Sequence, residues 1–154
     1  MSKVLTLGYE FEHDYNLLGI TSTLEGYRLA YLLNKILDIN LERQEGNIDF
    51  TDENCSFALY SYECNRTFSS WSLIANKHAF TSKNIEVTNL FNEEFKISYL
   101  INEKKEVDYF LKIIGDFNSS TLKLTLNNIK NIKGLIAAYI INPYSLKSKD
   151  YLIF

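Results

Sequence analysis

The pattern of the chain predicts an α+β protein: a two-layer sandwich with one mainly antiparallel sheet and two helices packed on one face of it. Three observations carry that class. Apolar residues recur at helical spacing in two stretches, 24–39 and 121–133. Between those stretches, several segments alternate apolar and polar residues with the period of a strand. One proline, Pro143, and no Gly/Ser-rich linker or internal repeat interrupt the 154 residues, so residues 1–154 read as a single domain. A closing hairpin–helix–strand unit gives the C-terminal half a ferredoxin-like character.

The elements follow in order. YNLLGIT, residues 15–21, predicts a strand that leads into a helix. Ser22 then opens the sequence Ser-Thr-Leu-Glu, a capping box in which the Ser22 hydroxyl accepts from the Glu25 N–H and the Glu25 carboxylate reciprocates. In LEGYRLAYLLNKILDI, Leu29, Leu32, Leu33 and Ile36 form a helical stripe, widened by Tyr27, Ala30, Tyr31 and Leu37. So broad a stripe predicts a helix packed on more than one side. Gly26 in the first turn costs roughly 1 kcal/mol against alanine unless a close neighbour needs the space.

Strand-preferring segments come next. INLERQ pairs with something downstream. FALYSYEC places Ala58, Tyr60, Tyr62 and Cys64 on one face and Phe57 and Leu59 on the other, ECNRTF turns the chain, and TFSSWSLIANKH returns with the sole tryptophan, Trp71. Residues 78–91 read as a loop with a brief strand or helical turn. EFKISYLI and VDYFLKIIG alternate on either side of Glu103-Lys104-Lys105-Glu106, which predicts a β-hairpin turning in water. Val107, Tyr109, Leu111 and Ile113 share one face of the second strand, and Asp108, Phe110, Lys112 and Ile114 share the other, partly wet one. Ser119 or Ser120 caps TLKLTLNNIKNIK, whose Leu122, Leu126 and Ile129 lie on one face, and Gly134 supplies a left-handed C-terminal cap. GLIAAYIIN, apolar on both faces, predicts a central strand. The last four residues, YLIF, are apolar enough to dock.

Composition excludes several classes. No apolar run reaches the length of a membrane span, and Glu10, Glu12 and Asp14 follow the first apolar patch too soon for a secretory signal, so a cytoplasmic protein without a membrane is expected. Cys55 and Cys64 are too few for a disulfide scaffold or a four-thiolate zinc site and read as buried apolar residues. No phosphate loop, dinucleotide fingerprint or nucleophile elbow occurs. His13 and His78 sit in separate polar segments and read as surface residues. Glu103, Glu106 and Asp108 are the one carboxylate group worth testing, but Lys104 and Lys105 in the same loop argue for a solvated turn. Asp108, between apolar neighbours, is expected to be half-buried and bonded to backbone or to a lysine. No catalytic, cofactor-binding or metal-ligating residue is therefore assigned.

Charge is split along the chain. Residues 1–117 carry 11 Lys/Arg and 18 Asp/Glu, whereas residues 118–154 carry five lysines and one aspartate. A solvated helix with a basic tail explains this, and so does a basic face for an acidic partner or RNA.

The stretch Ile101-Asn102-Glu103, Lys104-Lys105-Glu106, Val107-Asp108-Tyr109 resembles the signature of the IPExxxVDY family, small bacterial proteins of unknown function. The likeness extends to LLGITSTLEGYRLAYLLNKIL and to INPYSLKSKDYLIF. It implies motif positions at Ile101, Glu103, Val107, Asp108 and Tyr109, and no activity or cofactor. One position departs: Asn102 stands where the motif has proline, which removes a fixed φ at the mouth of the loop. The expectation is a non-enzymatic macromolecular-interaction protein with a protein partner, contacting it through Lys147 and Lys149. A small-ligand-binding or RNA-associated module is the alternative, and an enzyme comes behind both.

Overall fold

The computed structural model describes residues 14–46, 48–50, 55–83 and 93–154. The expectations for His13, for the N-terminal patch and for 84–91 lie outside them, whereas 78–83, read as part of a loop, belongs to a seven-residue strand. Ten strands and two α-helices follow one another among the described residues. They are β1 (Asn16–Ser22), α1 (Gly26–Leu37), β2 (Glu42–Arg43), β3 (Ile48–Phe50), β4 (Cys55–Phe57) and β5 (Leu59–Cys64). β6 (Ser69–Ala75), β7 (Lys77–Lys83), β8 (Glu93–Tyr99), β9 (Tyr109–Ile114), α2 (Ser119–Lys130) and β10 (Leu135–Ile141) complete the set.

Six strands form the main sheet in the order β10–β1–β9–β6–β5–β2, every neighbour antiparallel. The class is the α+β sandwich expected. β1–α1–β6 encloses β9, and β9–α2–β10 encloses β1, so two split β-α-β units interlock in the ferredoxin-like manner. That arrangement is not confined to the C-terminal half: β9 and β10 both depend on β1, which lies between them.

Both faces of the sheet are buried, by different means. Helices α1 and α2 cover one face, where Leu18, Ile20, Leu29, Leu33, Leu73, Leu111, Ile113 and Ile129 pack together. On the other face, Leu17, Ile74, Phe110 and Ile141 meet Leu100, Ile101, Val107, Leu146 and Leu152. The loop after β8 and the C-terminal turns, rather than a second helical layer, form that cover. Alternation in FALYSYEC reads as expected: Ala58, Tyr60 and Tyr62 join the helical side, Phe57 and Leu59 the other.

Several expectations need correction. Helix α1 is packed on one side only: Leu29, Ala30 and Leu33 are buried, while Tyr27 and Tyr31 are both 64% exposed. No capping box forms. Ser22 ends β1, and its hydroxyl donates to the Gly134 carbonyl (2.8 Å) and accepts from the Leu24 N–H (3.0 Å), so tertiary structure has claimed the group that would have capped the helix. Glu25 takes the N-cap position without a side-chain bond. Gly26 is where a neighbour needs space, since a Cβ there would stand 3.2 Å from the Tyr60 ring and hydroxyl. Asn118, not Ser119 or Ser120, caps α2 by accepting from the Thr121 N–H at 2.8 Å. Gly134 does adopt a positive φ, +100°, but beyond the C-cap Asn131; there a Cβ would strike Leu24 at 2.8 Å.

Among the described residues strand β10 is an edge strand, not a central one. Its apolar run does not report burial on both faces, because Ile136 and Ile140 are 68% and 45% exposed. The segment 102–106 is not a hairpin turn. β8 and β9 run in the same direction and pair in succession with β7 and β6, which adjoin in the chain with Asn76 between them. Ala75 faces Tyr109 and Lys77 faces Tyr99, so residues 100–108 loop out of a strand pairing that Asn76 alone spans on the other side.

Candidate functional site

Ile101, Glu103, Val107 and Asp108 lie in this excursion and Tyr109 opens β9 directly after it; Asn76 holds the loop. Asn76 is fully buried. Its backbone N–H donates to the Asp108 carbonyl (2.9 Å) and its carbonyl accepts from the Leu100 N–H (2.9 Å). Its side-chain amide donates to the carbonyls of Lys104 and Val107, both at 2.8 Å, and its Oδ1 accepts from the Ile101 N–H at 2.8 Å. One asparagine thus satisfies both ends and the middle of a loop whose backbone groups would otherwise be buried unpaired. A single 3₁₀ turn, Asn102–Lys104, shapes the tip.

Each signature residue has a structural partner. Ile101 and Val107 are fully buried in the loop-side core, each contributing about 1.5–3 kcal/mol by leaving water. Val107 lies against β1 where Gly19 offers no side chain: a Cβ at Gly19 would stand 3.1 Å from Val107 and 2.7 Å from Ile141. Val107 therefore packs on the face opposite Tyr109, not with it as strand alternation implied, because it precedes the regular part of β9. The Tyr109 hydroxyl donates to the Leu24 carbonyl at 2.8 Å, and burial first, then the nearby Asp108 charge, push its pKa up to about 12.

The three carboxylates do not converge. Glu103 accepts from the Ser148 N–H (2.7 Å) and hydroxyl (3.0 Å), tying the C-terminal turns to the loop. Partial burial raises the Glu103 pKa, but these hydrogen bonds outweigh it and hold the group below the usual carboxylate range. Glu106 accepts from the Tyr139 hydroxyl at 3.3 Å. Asp108 is half-buried as expected, accepts from the Ser22 N–H at 2.8 Å, and pairs with Lys77 at 2.5 Å. A carboxylate spent on a backbone amide and an ammonium is a brace between β1, β7 and β9, with its lone pairs turned to the fold. Among the described residues no group of three His, Cys, Asp or Glu is placed to hold a metal ion.

The other sequence candidates scatter. Lys147 is exposed; Lys149 stands over the Tyr144 ring at 5.6 Å, so it takes part in the local packing of its own turns. His78 is half-buried with its ring edge-on to Phe57, 6.3 Å between centroids, rather than a plain surface residue. Cys64 is half-buried beside a groove lined by Asp38, Tyr62, Thr67 and Trp71. It is not an inert apolar filler: hydrogen bonds from the Thr67 hydroxyl, the Tyr62 hydroxyl and nearby backbone hold its pKa down to about 7. The Cys55 side chain lies outside the described residues.

Two features escaped the sequence. Asn76 sits inside a run read simply as a strand, although asparagine is depleted in strands and could have marked a break. Lys112, expected on a partly wet face, is 5% exposed. Its ammonium donates to the Leu152 carbonyl at 2.6 Å and lies between the rings of Tyr15 (4.7 Å) and Phe154 (4.6 Å). Burial lowers its pKa to about 8. The docking of the C-terminal residues is thereby held at its end by a desolvated cation.

No family model, no curated protein and no solved structure matches this chain. Among the described residues no helix is long and apolar enough to cross a membrane.

Proposed function

We propose that this chain is a non-enzymatic macromolecular-interaction protein of the bacterial cytoplasm, that it belongs to the IPExxxVDY family, and that its partner is another protein. The observation that carries the reading is the outer edge of β10. It is an uncharged seven-residue edge strand with Ile136 and Ile140 exposed, paired with β1 on one side and with no described strand on the other. Proteins that stay single protect such edges with charges, prolines or bulges; β10 has neither charge nor proline, and its register shift at Ile136 leaves Ala137–Ile141 regular. The family reading draws support from the burial or pairing of every signature residue, which is what a motif retained for folding looks like. Tyr27 and Tyr31, exposed on α1, offer a second apolar surface.

RNA association is the second reading, favoured by lysines and the exposed Tyr144 and Tyr151 in the C-terminal region. The sheet face that a ferredoxin-like RNA binder offers to bases is covered in this chain by the loop 100–107 and the C-terminal turns, which favours a protein. A small ligand in the groove beside Cys64 ranks third. Crosslinking in the protein's own cells followed by pulldown separates these. A stoichiometric protein adduct is expected. Recovery of nucleic acid alone, or of no adduct, sinks the protein-partner reading.

A further inference from the structure

Resting on the reading of a protein partner, we propose that the outer edge of β10 accepts an extended, acidic segment of that partner as an added strand. The backbone of β10 is paired on one side by β1 and by no described strand on the other. An edge of alternating N–H and C=O groups at strand spacing is matched by another strand, which is how peptides add to sheets. Within Leu135–Ile141 there is no charge and no proline to deter pairing, and the register shift at Ile136 leaves Ala137–Ile141 as the regular stretch open to it.

The side chains say what the added strand carries. Ala138 is buried on the helical side and Ile140, two positions on, shares that face; Ile136, where the register with β1 shifts, lines the same groove as Ala138. Both isoleucines protrude beyond the cover that α2 supplies. Lys130, Leu135, Ile136, Ala137 and Ala138 line a shallow groove between α2 and β10. Apolar side chains at alternate positions of an added strand would lie in it.

Charge sets the sign of the partner. From 117 to 149 the chain holds five lysines and no acid. Lys123, Lys130 and Lys133, on α2 and the turn that leads to β10, are all exposed, and no ion pair engages them among the described residues. A second copy of this chain would bring the same lysines together across a two-fold axis, which like-charge repulsion disfavours. An RNA strand would find lysines, but the aromatic residue of β10, Tyr139, packs on the opposite face with its hydroxyl on Glu106 and Lys104 over its ring, which leaves aliphatic side chains in the groove for a base to meet. An acidic strand satisfies the ammonium groups, the apolar groove and the unpaired backbone together.

The test is fluorescence anisotropy with a fluorescein-labelled peptide of alternating isoleucine and glutamate. Two control peptides accompany it: one with N-methyl groups on alternate backbone amides, and one with lysine in place of glutamate. Saturable binding of the first and of neither control is expected. Lys130→Glu with Lys133→Glu, and separately Ile136→Asp, should each weaken it by about ten-fold or more, whereas Tyr27→Ser with Tyr31→Ser should not. All substituted positions are exposed, and circular dichroism verifies that the variants fold. Binding of the N-methylated peptide with equal affinity, no binding up to millimolar peptide, or indifference to the β10 and lysine variants overturns the proposal. So does a dimer in light scattering that Ile136→Asp dissolves, or RNA displacing the peptide from the same lysines. In-cell photocrosslinking from position 140 and from position 27 separates the two readings. A protein adduct from 27 alone overturns the β10 site and leaves a protein-binding function standing, whereas protein adducts from neither overturn both.

Discussion

Asn76 concentrates more structural consequence than any other residue. Its amide group makes three hydrogen bonds to a nine-residue loop with which it shares no sequence neighbourhood. Asn76→Ala leaves two carbonyls and one N–H without a partner, at about 1–3 kcal/mol for each such buried group. The urea midpoint should fall accordingly, with an unchanged m-value. Asn76→Asp should be worse than Asn76→Ala, because a carboxylate would face the Lys104 and Val107 carbonyls in a dry site. Equal stability of the two variants would contradict that account. Cys64 makes a prediction of another kind. With a pKa near 7, its alkylation by iodoacetamide in a Cys55→Ser background should rise with a midpoint at about pH 7. Thr67→Ala removes the largest stabiliser of the thiolate, so the midpoint should move up toward the ordinary thiol value of about 8.5.

At the scale of elements, the loop between β8 and β9 shows how a pattern can be read correctly in pieces and wrongly as a whole. Two alternating segments around four charged residues are what a hairpin looks like. Here the same pattern arises from one side of a ladder interrupted in the middle. Only the partner strand distinguishes the cases, since in a hairpin β8 and β9 pair with each other, whereas here they pair with β7 and β6. The same geometry explains Asn102. It is the first residue of a 3₁₀ turn, after Ile101 in an extended conformation at φ −113° and ψ 97°. Proline suits that first position, and an extended residue before it is what proline requires. Asn102→Pro should therefore raise stability, by about 0.4–1 kcal/mol, through the narrower unfolded ensemble. A lowered urea midpoint would mean that the Asn102 N–H or side chain does work the geometry does not reveal. Helices were the most legible elements: α1 falls within the segment that periodicity marked, 24–39, and α2 overlaps the other, 121–133, beginning two residues and ending three residues earlier. Their caps were not, because Ser22 was taken by a contact to Gly134, 112 residues away.

The whole molecule is a sheet with a helical cover on one face and a cover of loop and tail on the other. Lys112 joins that second cover to the sheet. A buried lysine releases its proton near pH 8 in the folded state, whereas the unfolded chain keeps it to the ordinary value of 10.5. Between those values the unfolded state binds more protons, so this group makes stability rise with pH from about 8 to 10.5. Lys112→Met should abolish that rise. Urea unfolding of both proteins at neutral pH and in the alkaline window checks it, because the tyrosines that titrate higher are common to both. Parallel stability profiles would place the ammonium in contact with solvent.

Local chemistry was enough to establish the α+β class, both helices, most strands and the half-buried state of Asp108. Period and flanking residues act within a few positions along the chain, and a single sequence displays them. It was also enough to mark the residues of the signature, though not their role. What only the tertiary structure decided depends on which segments meet. It places β10 at the edge, joins β9 and β10 through β1, opens the strand pairing at Asn76, and buries Lys112 under the chain's last residues. Each of those outcomes is a contact between positions far apart in sequence, and an apolar or polar residue looks the same in the chain whichever distant partner it finds.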